Sequence, residues 1–581
     1  MKYQLLGQVD NRLRGIEQVL LNRGIPLSLQ HQYLYTTDEM INSPNKLGED
    51  NIKQGIQMLL STIKDDADAL LIVDCDCDGA TSAALIFNYL FILFPAWVTN
   101  HLKWRMHSGK QHGLNDHMDY IREQNYRYKL ILCPDSSSND YDEHEELFNH
   151  NTNVLVLDHH NAPKISEWAC VINNQLSDYP NKFLSGVGVT WQFCRKIDEL
   201  LNTTYSNNFL DLVALGNLAD VMSLKAIETK HLIHTGLRDE NILNPFIFEL
   251  AKKNKYSLGE VITPMGAAFY IAPFINAMMR SGTLEEKKLM FSAMLTKDAF
   301  NIVPSTKRGC IGQTETLVEQ AVRTCVNVKN RQSRAVESGM EFLERQIQEN
   351  NMLQHKVLLF LLNGEEIDSA IRGLAANKIA NKYQRPCCVL SLKDGCYQGS
   401  ARGYERTGIK NFAKLCEDSK SIDYVIGHEN AFGISIPQDK VEQYMEYMDD
   451  VLKNQSSEPI YLVDYIFSKP NGEIILSIAN FSYLWGKDIE ESLVALENIT
   501  ISSKDIQLLS KDKNPTLRIK CGDIELMKFK SCEEEYNSLI EKGNVTLNIV
   551  GKCNKNEWGG NTKPQILIED YEITGSVKWL F

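Results

Sequence analysis

The sequence predicts an α/β protein in which a doubly wound, mostly parallel sheet is followed by a second α/β region and a small β-barrel. Between about 52 and 300, apolar runs such as ADALLIVD and VLVLDHH alternate with helical stretches such as GATSAALIFNYLFIL. This alternation is typical of buried parallel strands joined by helices. After KNQSSEP, short alternating strands such as TLRIKC and VTLNIVGKC are separated by polar turns, which is typical of a small barrel or sandwich.

The length of the chain predicts several domains. A chain of 581 residues exceeds what one hydrophobic core usually organises, so size suggests about three or four domains. We expect a helical N-terminal segment over 1–50, where IEQVLLNRGI has helical spacing, and the candidate chemistry over 51–310. A long proline-free run predicts a connecting helix over 311–356. KVLLFLL and CCVLSL predict strands of the second α/β region over 357–454, and the barrel occupies 455–581.

Composition excludes several classes of protein. Hydrophobic residues make up 43% of the chain and charged residues 23%, which argues against a disordered, collagen-like or coiled-coil protein. We predict a cytoplasmic protein without a membrane segment, because the N-terminus lacks a signal-peptide pattern and the longest apolar stretch is too short to span a bilayer. The 14 cysteines form no paired CxxC modules, so we expect reduced and mostly buried thiols.

The charge balance bears on the partner. A net charge of −14, from 61 basic and 75 acidic side chains, weakly disfavours a polyanion. It does not exclude one, because a carboxylate metal site gathers acidic residues and a nucleic acid needs only a local basic track. Candidate members of such a track are Lys103, Arg105, Lys110, Arg402, Arg406 and Lys410.

The segment LLIVDCDCDGATS carries the sharpest chemical signal. An apolar strand runs directly into Asp74, Asp76 and Asp78, and Gly79 opens a helix. Three carboxylates at alternate positions after a strand can hold hard divalent cations. The alternative is that the three aspartates form a solvent-exposed acidic turn that binds no metal. A calcium loop of the EF-hand type is disfavoured, since no glutamate follows at the expected place and a buried strand precedes the motif.

Three further segments place polar groups in equivalent settings. KLILCPDSSSND delivers Asp135 after a strand, although a single aspartate there is usually a turn former or a helix cap. VLVLDHHNAP places Asp158, His159 and His160 after another strand, and neutral imidazoles bind transition metals well. LVALGNLADVMSL supplies Asp220. In doubly wound sheets ligands collect at the carboxyl ends of strands, so the four segments together predict a binuclear metal site.

These motifs resemble those of a known family. DCDCDG, PDSSSND, DHH and GNLADVMSL are similar to the four ordered motifs of the DHH phosphoesterases. LSGVGVTW, IAPFINAMMRSG, GSARG and GHENAFG are similar to segments of the RecJ-like members, and NVTLNIVGKCNKNEWGGNTKPQILIEDYEI resembles their oligonucleotide-binding (OB) fold. The resemblance covers nearly the whole chain. It implies a DHH-type sheet domain, a long connecting helix, a DHH-associated α/β domain and a C-terminal OB-like barrel.

The resemblance also implies roles for individual residues. It implies two Mn²⁺ or Mg²⁺ ions, with Asp135 bridging them, and the ligand set Asp74, Asp76, Asp78, Asp135, His159 and Asp220. His160 would face the scissile phosphate as a charge stabiliser or proton donor, and Asp158 would orient the histidine pair. The groups implied for gripping the nucleotide backbone and the 5′ phosphate are Asn276, Arg280, Ser400, Arg402 and His428.

The chain departs from the family pattern at several places. Phe274 stands where relatives usually carry arginine, and Met278 and Met279 replace small residues. A serine run follows Asp135, and Ile426 replaces the first glycine of a GGH-type turn. The metal ligands survive these changes, so the departures bear on the substrate channel, on end preference and on tolerance of RNA.

We therefore predict a metal-dependent 5′ to 3′ exonuclease that releases 5′-mononucleotides from single-stranded DNA in repair or recombination. One strand would enter a cleft between two lobes, and the barrel would hold it by stacking and a basic groove. Trp485 and Trp558 are candidate stacking platforms, and we expect at least one of them in the core. The resemblance implies a single-strand-binding protein or a helicase as partner, and we favour a monomer.

Two alternatives remain at this stage. An oligoribonuclease or cyclic-dinucleotide phosphodiesterase would use the same metals, but tiny substrates need no extended barrel. A catalytically inactive nucleic-acid-binding scaffold is of another class, and the intact acidic and histidine motifs argue against it. An inorganic pyrophosphatase shares the metal chemistry but would not need the second half of the chain.

Overall fold

The computed structural model describes residues 1–109, 111–310, 312–364, 366–404, 406, 408–454, 460–510 and 514–577. Lys110 of the candidate basic track and both ends of the predicted barrel segment therefore lie outside the described residues. The chain divides into two compact units. Unit I consists of Ser28–Asn330 and Tyr483–Glu490, and Unit II consists of Met1–Leu27, Arg331–Ser482 and Glu491–Phe581.

The N-terminal segment differs from the predicted helical segment. It contains β1 (Lys2–Leu5), α1 (Gly15–Asn22) and α2 (Leu27–Leu34), and α3 (Glu49–Lys64) follows. Strand β1 pairs in parallel with the strand Ile460–Val463, and the boundary between the two units falls at residue 27. The prediction of one helical segment over 1–50 was therefore wrong at its start. A four-residue strand has too few residues to show a period, and its partner lies far away in the chain.

The sheet of Unit I is parallel and buried. Its elements are β2 (Ala69–Val73), α4 (Cys77–Leu93), α5 (Pro95–His101), β3 (Leu102–Met106), α6 (Asn115–Glu123), β4 (Leu130–Pro134), α7 (Tyr141–Asn149), β5 (Asn153–Asp158), β6 (Cys170–Asn173) and α8 (Gly186–Leu201). The strand order is β3-β2-β4-β5-β6, and all neighbours are parallel. Every residue of β2 and β4 is buried, because helices cover both faces of such a sheet.

The strand order fixes where a ligand can collect. Strand β2 comes first along the chain but lies between β3 and β4 in the sheet. The chain runs from β2 to β3 on one side and then crosses back to β4 on the other side of β2. Ligands of open α/β sheets bind at the carboxyl ends of the strands at such a switch point. The acidic motif that begins at Asp74 follows β2 directly, and Asp135 follows the neighbouring β4. The fold therefore brings two separate acidic motifs to the same crevice.

Helices complete Unit I. They include α9 (Leu210–Ala219), α10 (Ile227–Gly236), α11 (Pro245–Lys253), α12 (Lys255–Leu258), α13 (Pro264–Tyr270), α14 (Ala272–Ser281) and α15 (Leu284–Met294), followed by β7 (Ile302–Pro304) and β8 (Thr314–Thr316). Helix α4 is buried on all sides over its first fourteen residues, and it packs against α8 and α9. A helix that is apolar all round belongs in a core, so α4 is a fixed base for the motif at its N-terminus.

A second α/β sheet lies in Unit II. Helix α16 (Leu317–Glu349) leads to β9 (Leu358–Leu362), α17 (Ser369–Tyr383), β10 (Cys387–Lys393), β11 (Cys396–Arg402), α18 (Phe412–Asp418), β12 (Tyr424–His428), β13 (Ala431–Pro437) and α19 (Val441–Val451). The strand order is β12-β13-β11-β10-β9, with β9 and β10 parallel and the other neighbours antiparallel. Separate apolar clusters pack on the two faces of this sheet.

The C-terminal part of Unit II is mostly β structure. Its elements are β14 (Ile460–Val463), β15 (Tyr465–Phe467), α20 (Gly472–Ala479), β16 (Leu493–Ile501), β17 (Ile506–Leu509), β18 (Thr516–Cys521), β19 (Ile524–Lys528), α21 (Glu533–Ile540), β20 (Asn544–Trp558) and β21 (Asn561–Val577). The strand order is β15-β16-β20-β21-β19-β18-β17. Irregular pairing at two places in the β20–β21 hairpin bends these long strands. A buried ion pair between Arg23 and Asp464, 2.9 Å long, ties α1 to this part of the chain.

Each helix among the described residues is too short or too polar to cross a membrane.

Candidate metal centre and substrate groups

The first acidic motif is held rigidly by backbone geometry. Asp74 is fully buried after β2, and the Oδ1 atom of Asp76 caps α4 by accepting a hydrogen bond of 3.2 Å from the amide of Gly79. Carboxylates are stabilised at a helix N-terminus by the helix dipole. A Cβ on Gly79 would lie 2.5 Å from the Cβ of Asp74. Only glycine therefore permits α4 to start this close to Asp74.

Asp78 is held by the start of α8. Its carboxylate accepts hydrogen bonds from the Ser185 hydroxyl (3.0 Å) and from the amides of Gly186 (2.7 Å) and Val187 (3.2 Å). These donors come from the LSGVGVTW segment. A Cβ on Gly216 of α9 would collide with this same carboxylate. The LSGVGVTW segment and Gly216 thus hold the Asp78 carboxylate in place.

Asp135 occupies a strained position. Its φ angle is 63°, in the left-handed region that residues other than glycine seldom adopt, and its amide donates to the carbonyl of Leu157 at 2.8 Å. The side chain is buried, and a Cβ on Gly186 would lie 2.5 Å from the Cβ of Asp135. The surrounding contacts hold Asp135 in this uncommon backbone conformation, and such conformations cluster at functional positions.

The DHH segment supplies a histidine pair anchored by one carboxylate. The Oδ1 atom of Asp158 accepts from the amide of His159 at 2.7 Å, and from the amide and Nδ1 of His160 at 3.2 and 2.7 Å. Burial opposes ionisation of Asp158, but the hydrogen bond from His160 and the charges of both histidines outweigh it and hold the pKa below its usual value. Asp158 therefore fixes the orientation of the His160 ring and holds the backbone of both histidines.

The ligand-bearing atoms converge at the switch point. The Nε2 atom of His159 lies 3.3 Å from Asp135 Oδ1, 3.4 Å from Asp220 Oδ2 and 3.9 Å from Asp78 Oδ2. The ligand atoms of Asp78, His159 and Asp220 lie within 4.8 Å of one another, and so do those of Asp74, Asp76 and Asp135. All six residues predicted as ligands thus belong to two adjacent clusters, each compact enough to surround one divalent ion.

Burial and like charges oppose ionisation of the carboxyl groups in the two clusters. Burial, and then the charges of Asp78, Asp76 and Asp74, raise the pKa of Asp135 well above its usual value. Burial, and then the charges of Asp78 and Asp76, raise the pKa of Asp220 to about 8. The buried Oδ1 atoms of Asp74 and Asp135 receive no hydrogen bond from the described residues. Divalent cations would satisfy these oxygens and offset the repulsion, so the residues fit a pair of metal ions.

Two histidines near Asp74 were missed by sequence reasoning. The Nδ1 atom of His112 lies 2.6 Å from Asp74 Oδ2, and the Nε2 atom of buried His107 lies 3.6 Å from Asp74 Oδ1. The hydrogen bond with Asp74 is the largest cause that raises the pKa of His112 to about 11. Both histidines follow β3, the neighbour of β2, so the rule for strand ends would have found them if β3 had been recognised as a strand.

With this geometry in view, comparison with known proteins decides the family. The model of the DHH family, N-terminal domain, matches residues 69–217, and that of the RecJ OB domain matches residues 468–570. The chain is 33% identical over 588 residues to the SPbeta prophage-derived protein YorK of Bacillus subtilis (strain 168), which is provisionally named a single-strand DNA-specific exonuclease. The match covers 99% of this chain and 98% of YorK. The chain is a RecJ-like member of the DHH family.

More distant relatives agree with this family. The single-stranded-DNA-specific exonuclease RecJ of Bacillus subtilis is 23% identical, over 96% of this chain and 68% of that protein. The crystal structure of RecJ in complex with Mn²⁺ from Thermus thermophilus superposes with a TM-score of 0.71 at 17% identity, over 99% of this chain and 80% of that one. The Mg²⁺ complex of the same protein gives 0.63. At this identity the likeness establishes the fold, and it confirms the predicted fold class.

Two of the predicted substrate groups of this RecJ-like chain lie beside the acidic motif. Both are on α14: Asn276 Oδ1 accepts from the amide of Cys77 at 3.0 Å, and Arg280 lies 3.8 Å from Asp76 Oδ2. Arg280 is exposed. Met278 and Met279 on the same helix are buried, with 0% and 1% of their surface exposed. This departure from the family pattern therefore fills the core of Unit I rather than lining an open surface.

The other three substrate groups share one face of the Unit II sheet. Arg402 on β11 and His428 on β12 are both opposite Ala431 of β13, and Ser400 is opposite Gly433. Residues directly across neighbouring strands point to the same side, so Ser400, Arg402 and His428 flank a strip whose floor is Ala431 and Gly433. A hydroxyl, a guanidinium and an imidazole thus lie on one face of the sheet, and Gly373 of α17 approaches the Arg402 guanidinium on that face. This combination of donors suits a phosphate group.

The remaining candidates divide between the units. Lys103 and Arg105 are on β3 of Unit I, where Arg105 lies 4.2 Å from the ring centre of Tyr120, whereas Arg406 of Unit II lies 5.4 Å from that of Tyr461. Lys410 also belongs to Unit II. The two tryptophans differ sharply, since Trp485 is 3% exposed and Trp558 is 84% exposed. Trp485 is thus a core residue of Unit I, and Trp558 alone of this pair is available to a nucleobase.

Proposed function

We propose that this RecJ-like chain is a two-metal exonuclease that degrades single-stranded DNA from the 5′ end and releases 5′-mononucleotides. The observation that carries the proposal is the pair of adjacent ligand clusters, Asp74–Asp76–Asp135 and Asp78–His159–Asp220, at the switch point of the sheet. The names of the RecJ relatives, single-stranded-DNA-specific exonucleases, supply the substrate class. Match of the C-terminal region to the RecJ OB domain favours a polymer over a dinucleotide.

The metal ligands would be Asp76, Asp78, Asp135, His159 and Asp220, with Asp74 completing the shell. Asp135 would bridge, because its Oδ1 faces His159 of one cluster while the residue belongs to the other. When bound, a pair of Mn²⁺ or Mg²⁺ ions supplies an activated water and charge stabilisation for phosphodiester hydrolysis. The carboxylates, which backbone contacts hold in place, would hold these ions before substrate arrives.

The histidine after the ligand His159 would act on the phosphate. Asp158 holds His160 Nδ1 at 2.7 Å, so the other ring nitrogen, Nε2, remains for substrate. The His160 side chain is 49% exposed, whereas that of His159 is 8% exposed. We assign His160 the role of stabilising charge on the phosphate or donating a proton to the leaving oxygen, and Asp158 the role of orienting it.

Five side chains would hold the substrate. Asn276 and Arg280 lie beside Asp76, where an arginine fork suits a phosphate of the bound nucleotide. Ser400, Arg402 and His428 lie on one face of the Unit II sheet and would bind the backbone or the 5′ phosphate. We accordingly assign catalysis to 51–310, substrate holding to 357–454 and strand binding to 455–581.

The tip of the β20–β21 hairpin offers a platform for a base. Gly559 and Gly560, with φ angles of 60° and 80°, form a two-residue turn that closes the hairpin tightly beside exposed Trp558. Directly opposed residues share a face, so the face of Trp558 also carries Asn561, Asn556, Lys563, Asn554 and Gln565. These three opposed pairs contain an indole, four amides and an ammonium group, and no carboxylate. Such a face suits a nucleobase and its phosphate.

The test is Mn²⁺-dependent digestion of single-stranded DNA labelled separately at each end. Duplex DNA, single-stranded RNA and a dinucleotide are assayed beside it, and Asp135→Ala is the inactive control. We expect mononucleotides from the 5′-labelled end first, and no product from the variant. Release from the 3′ end would overturn the polarity, cleavage of the dinucleotide alone would indicate an oligonucleotide phosphodiesterase, and binding without cleavage would indicate a scaffold.

A role in DNA repair or recombination follows as a further part of the proposal. An exonuclease restricted to single strands needs another activity to expose its substrate, so a helicase or a single-strand-binding protein is the expected partner. Stimulation of duplex degradation by an added helicase would support this role. We expect the chain to act as a monomer, which light scattering of the purified protein would check.

A further inference from the structure

A further cluster of potential metal ligands, Asp74, Cys75 and His112, adjoins the two clusters of the candidate metal pair. The Nδ1 atom of His112 lies 2.6 Å from Asp74 Oδ2, and the Nε2 atom of His112 lies 3.5 Å from the sulfur of Cys75. One ligand atom each from Asp74, Cys75 and His112 lies within 4.8 Å of the others. The cluster joins the segments after β2 and β3, which are neighbouring parallel strands. Tertiary structure, rather than sequence proximity, brings the histidine to the other two.

The Asp74–Cys75–His112 cluster differs from the two clusters of the candidate metal pair because it contains a sulfur atom. Asp74–Asp76–Asp135 offers oxygen atoms, which hard ions such as Mg²⁺ and Mn²⁺ prefer, whereas this cluster offers sulfur, nitrogen and oxygen together. A mixed set with a thiolate and an imidazole favours Zn²⁺ and comparable ions, which accept four ligands in a tetrahedron. Three protein ligands leave one position for water.

The burial pattern allows an ion to enter. Cys75 is 3% exposed and Asp74 is 0% exposed, but the side chain of His112 is 57% exposed. The imidazole therefore lies at the solvent side of the cluster, and it can move to admit an ion that replaces the hydrogen bond between His112 and Asp74. The second oxygen of Asp74, Oδ1, is buried and receives no hydrogen bond from the described residues. The carboxylate thus retains an acceptor for a cation.

We infer that Asp74, Cys75 and His112 form a further cation site that takes a thiophilic divalent ion such as Zn²⁺. The site shares only Asp74 with the paired-metal centre. Because the inference concerns binding, it does not depend on the proposed nuclease activity. The alternative is that His112 only orients Asp74 through a hydrogen bond and that Cys75 has no role. The cation site and this alternative differ in whether the Cys75 sulfur contacts a bound ion.

Cobalt absorption distinguishes these two roles. The full-length protein is stripped with a chelator and titrated with Co²⁺, since a cobalt–thiolate bond gives a charge-transfer band in the near ultraviolet that oxygen and nitrogen ligands do not give. We expect this band in the native protein and its loss on addition of Zn²⁺. It should be absent in Cys75→Ser and weakened in His112→Gln. Zn²⁺ affinity at this site should fall about tenfold or more in each variant.

Two controls make the result specific. Cys77→Ser changes a fully buried thiol on the other side of Asp76, and Cys532→Ser changes an exposed thiol. Both should keep the band, and circular dichroism should show that all variants are folded. The inference fails if the native protein gives no thiolate band, or if the band survives in Cys75→Ser. A nuclease assay on the same samples reports separately on the proposed function.

Discussion

The candidate metal site of Unit I and the predicted substrate groups of Unit II are built in opposite ways. In Unit I, Asp74, Asp78 and Asp135 are buried, and glycines pack directly against their side chains. In Unit II, His428 and Trp558 are exposed on a sheet edge and on a hairpin tip. Metal chemistry needs fixed distances, whereas a polymer with variable bases needs contacts that adapt. We therefore expect substitutions to act as all or nothing in Unit I and gradually in Unit II.

The largest effect should come from Asp135→Asn. This change keeps the shape of the side chain but removes the charge of the residue that we propose as the bridging ligand. We expect a loss of at least about a thousandfold in the rate of Mn²⁺-dependent digestion, which corresponds to about 4 kcal/mol of transition-state stabilisation. Asp119→Asn, at a carboxylate that is 89% exposed, is the matched control and should keep full activity. Retention of even a tenth of the activity by Asp135→Asn would remove the bridging role.

Gly186→Ala tests whether backbone packing holds the acid in place. The new methyl group would lie 2.5 Å from the Cβ of Asp135, so the acid must move. We expect about a hundredfold loss of activity, with weaker Mn²⁺ binding by calorimetry. Gly339→Ala on α16 is the control, because its methyl group would lie 3.7 Å from the side chain of Ile367, which is an ordinary van der Waals contact. Equal activity and equal Mn²⁺ affinity of the two variants would show that packing against Gly186 does not hold Asp135 in place.

Trp558→Ala tests the graded response expected of Unit II. Loss of one base-stacking contact costs about 1–3 kcal/mol, so the affinity for a long single strand should fall about tenfold. Fluorescence anisotropy in the presence of a chelator measures this without cleavage. Trp558→Phe should restore most of the affinity, since a phenyl ring still stacks on a base. If alanine and phenylalanine bind equally well, the hairpin tip does not contact the strand.

A smaller effect concerns stability and pH in the absence of metal. The pKa of Asp220 is raised to about 8 by burial and like charges, so the folded metal-free state holds a proton that the unfolded state has released. This contribution to stability is present at low pH and is lost as the pH rises through about 8. Chemical denaturation in a chelator should show the loss, and Asp220→Asn should reduce it. The same slope in both proteins would assign it to other groups.

The predictable parts of the site are those that follow buried strands. Asp135 and the DHH segment each come after an apolar run in which every residue is buried, except the first residue of β5. His107 and His112 follow β3, whose edge position leaves it half exposed, so LKWRM shows no continuous apolar run. The sequence pattern therefore identifies central strands but not edge strands, and so it also misses the histidines that follow β3.

Distant pairing and burial set the other limits. Strand β1 pairs with a strand more than four hundred residues away, which no local period can show. Trp485 and Trp558 both precede a glycine in the sequence, but a short segment around Trp485 joins Unit I, which the sequence does not show. The two methionines on α14 were taken as changes to the channel, and the structure buries them. The expectation that at least one tryptophan lies in the core is met by Trp485, and which one it is depends, like the pairing of β1, on tertiary context rather than on residue chemistry.

The glycines packed against the acids have an evolutionary consequence. Gly79, Gly186 and Gly216 each leave space for a different carboxylate, Asp74, Asp135 and Asp78 respectively. A descendant that abandoned hydrolysis would lose the selection on these acids, and smaller replacements there would make room for side chains at the glycines. The three glycines are thus expected to drift together with the carboxylates. They form a record of selection that distinguishes an active lineage from a decayed one even where a single acid has been conserved by chance.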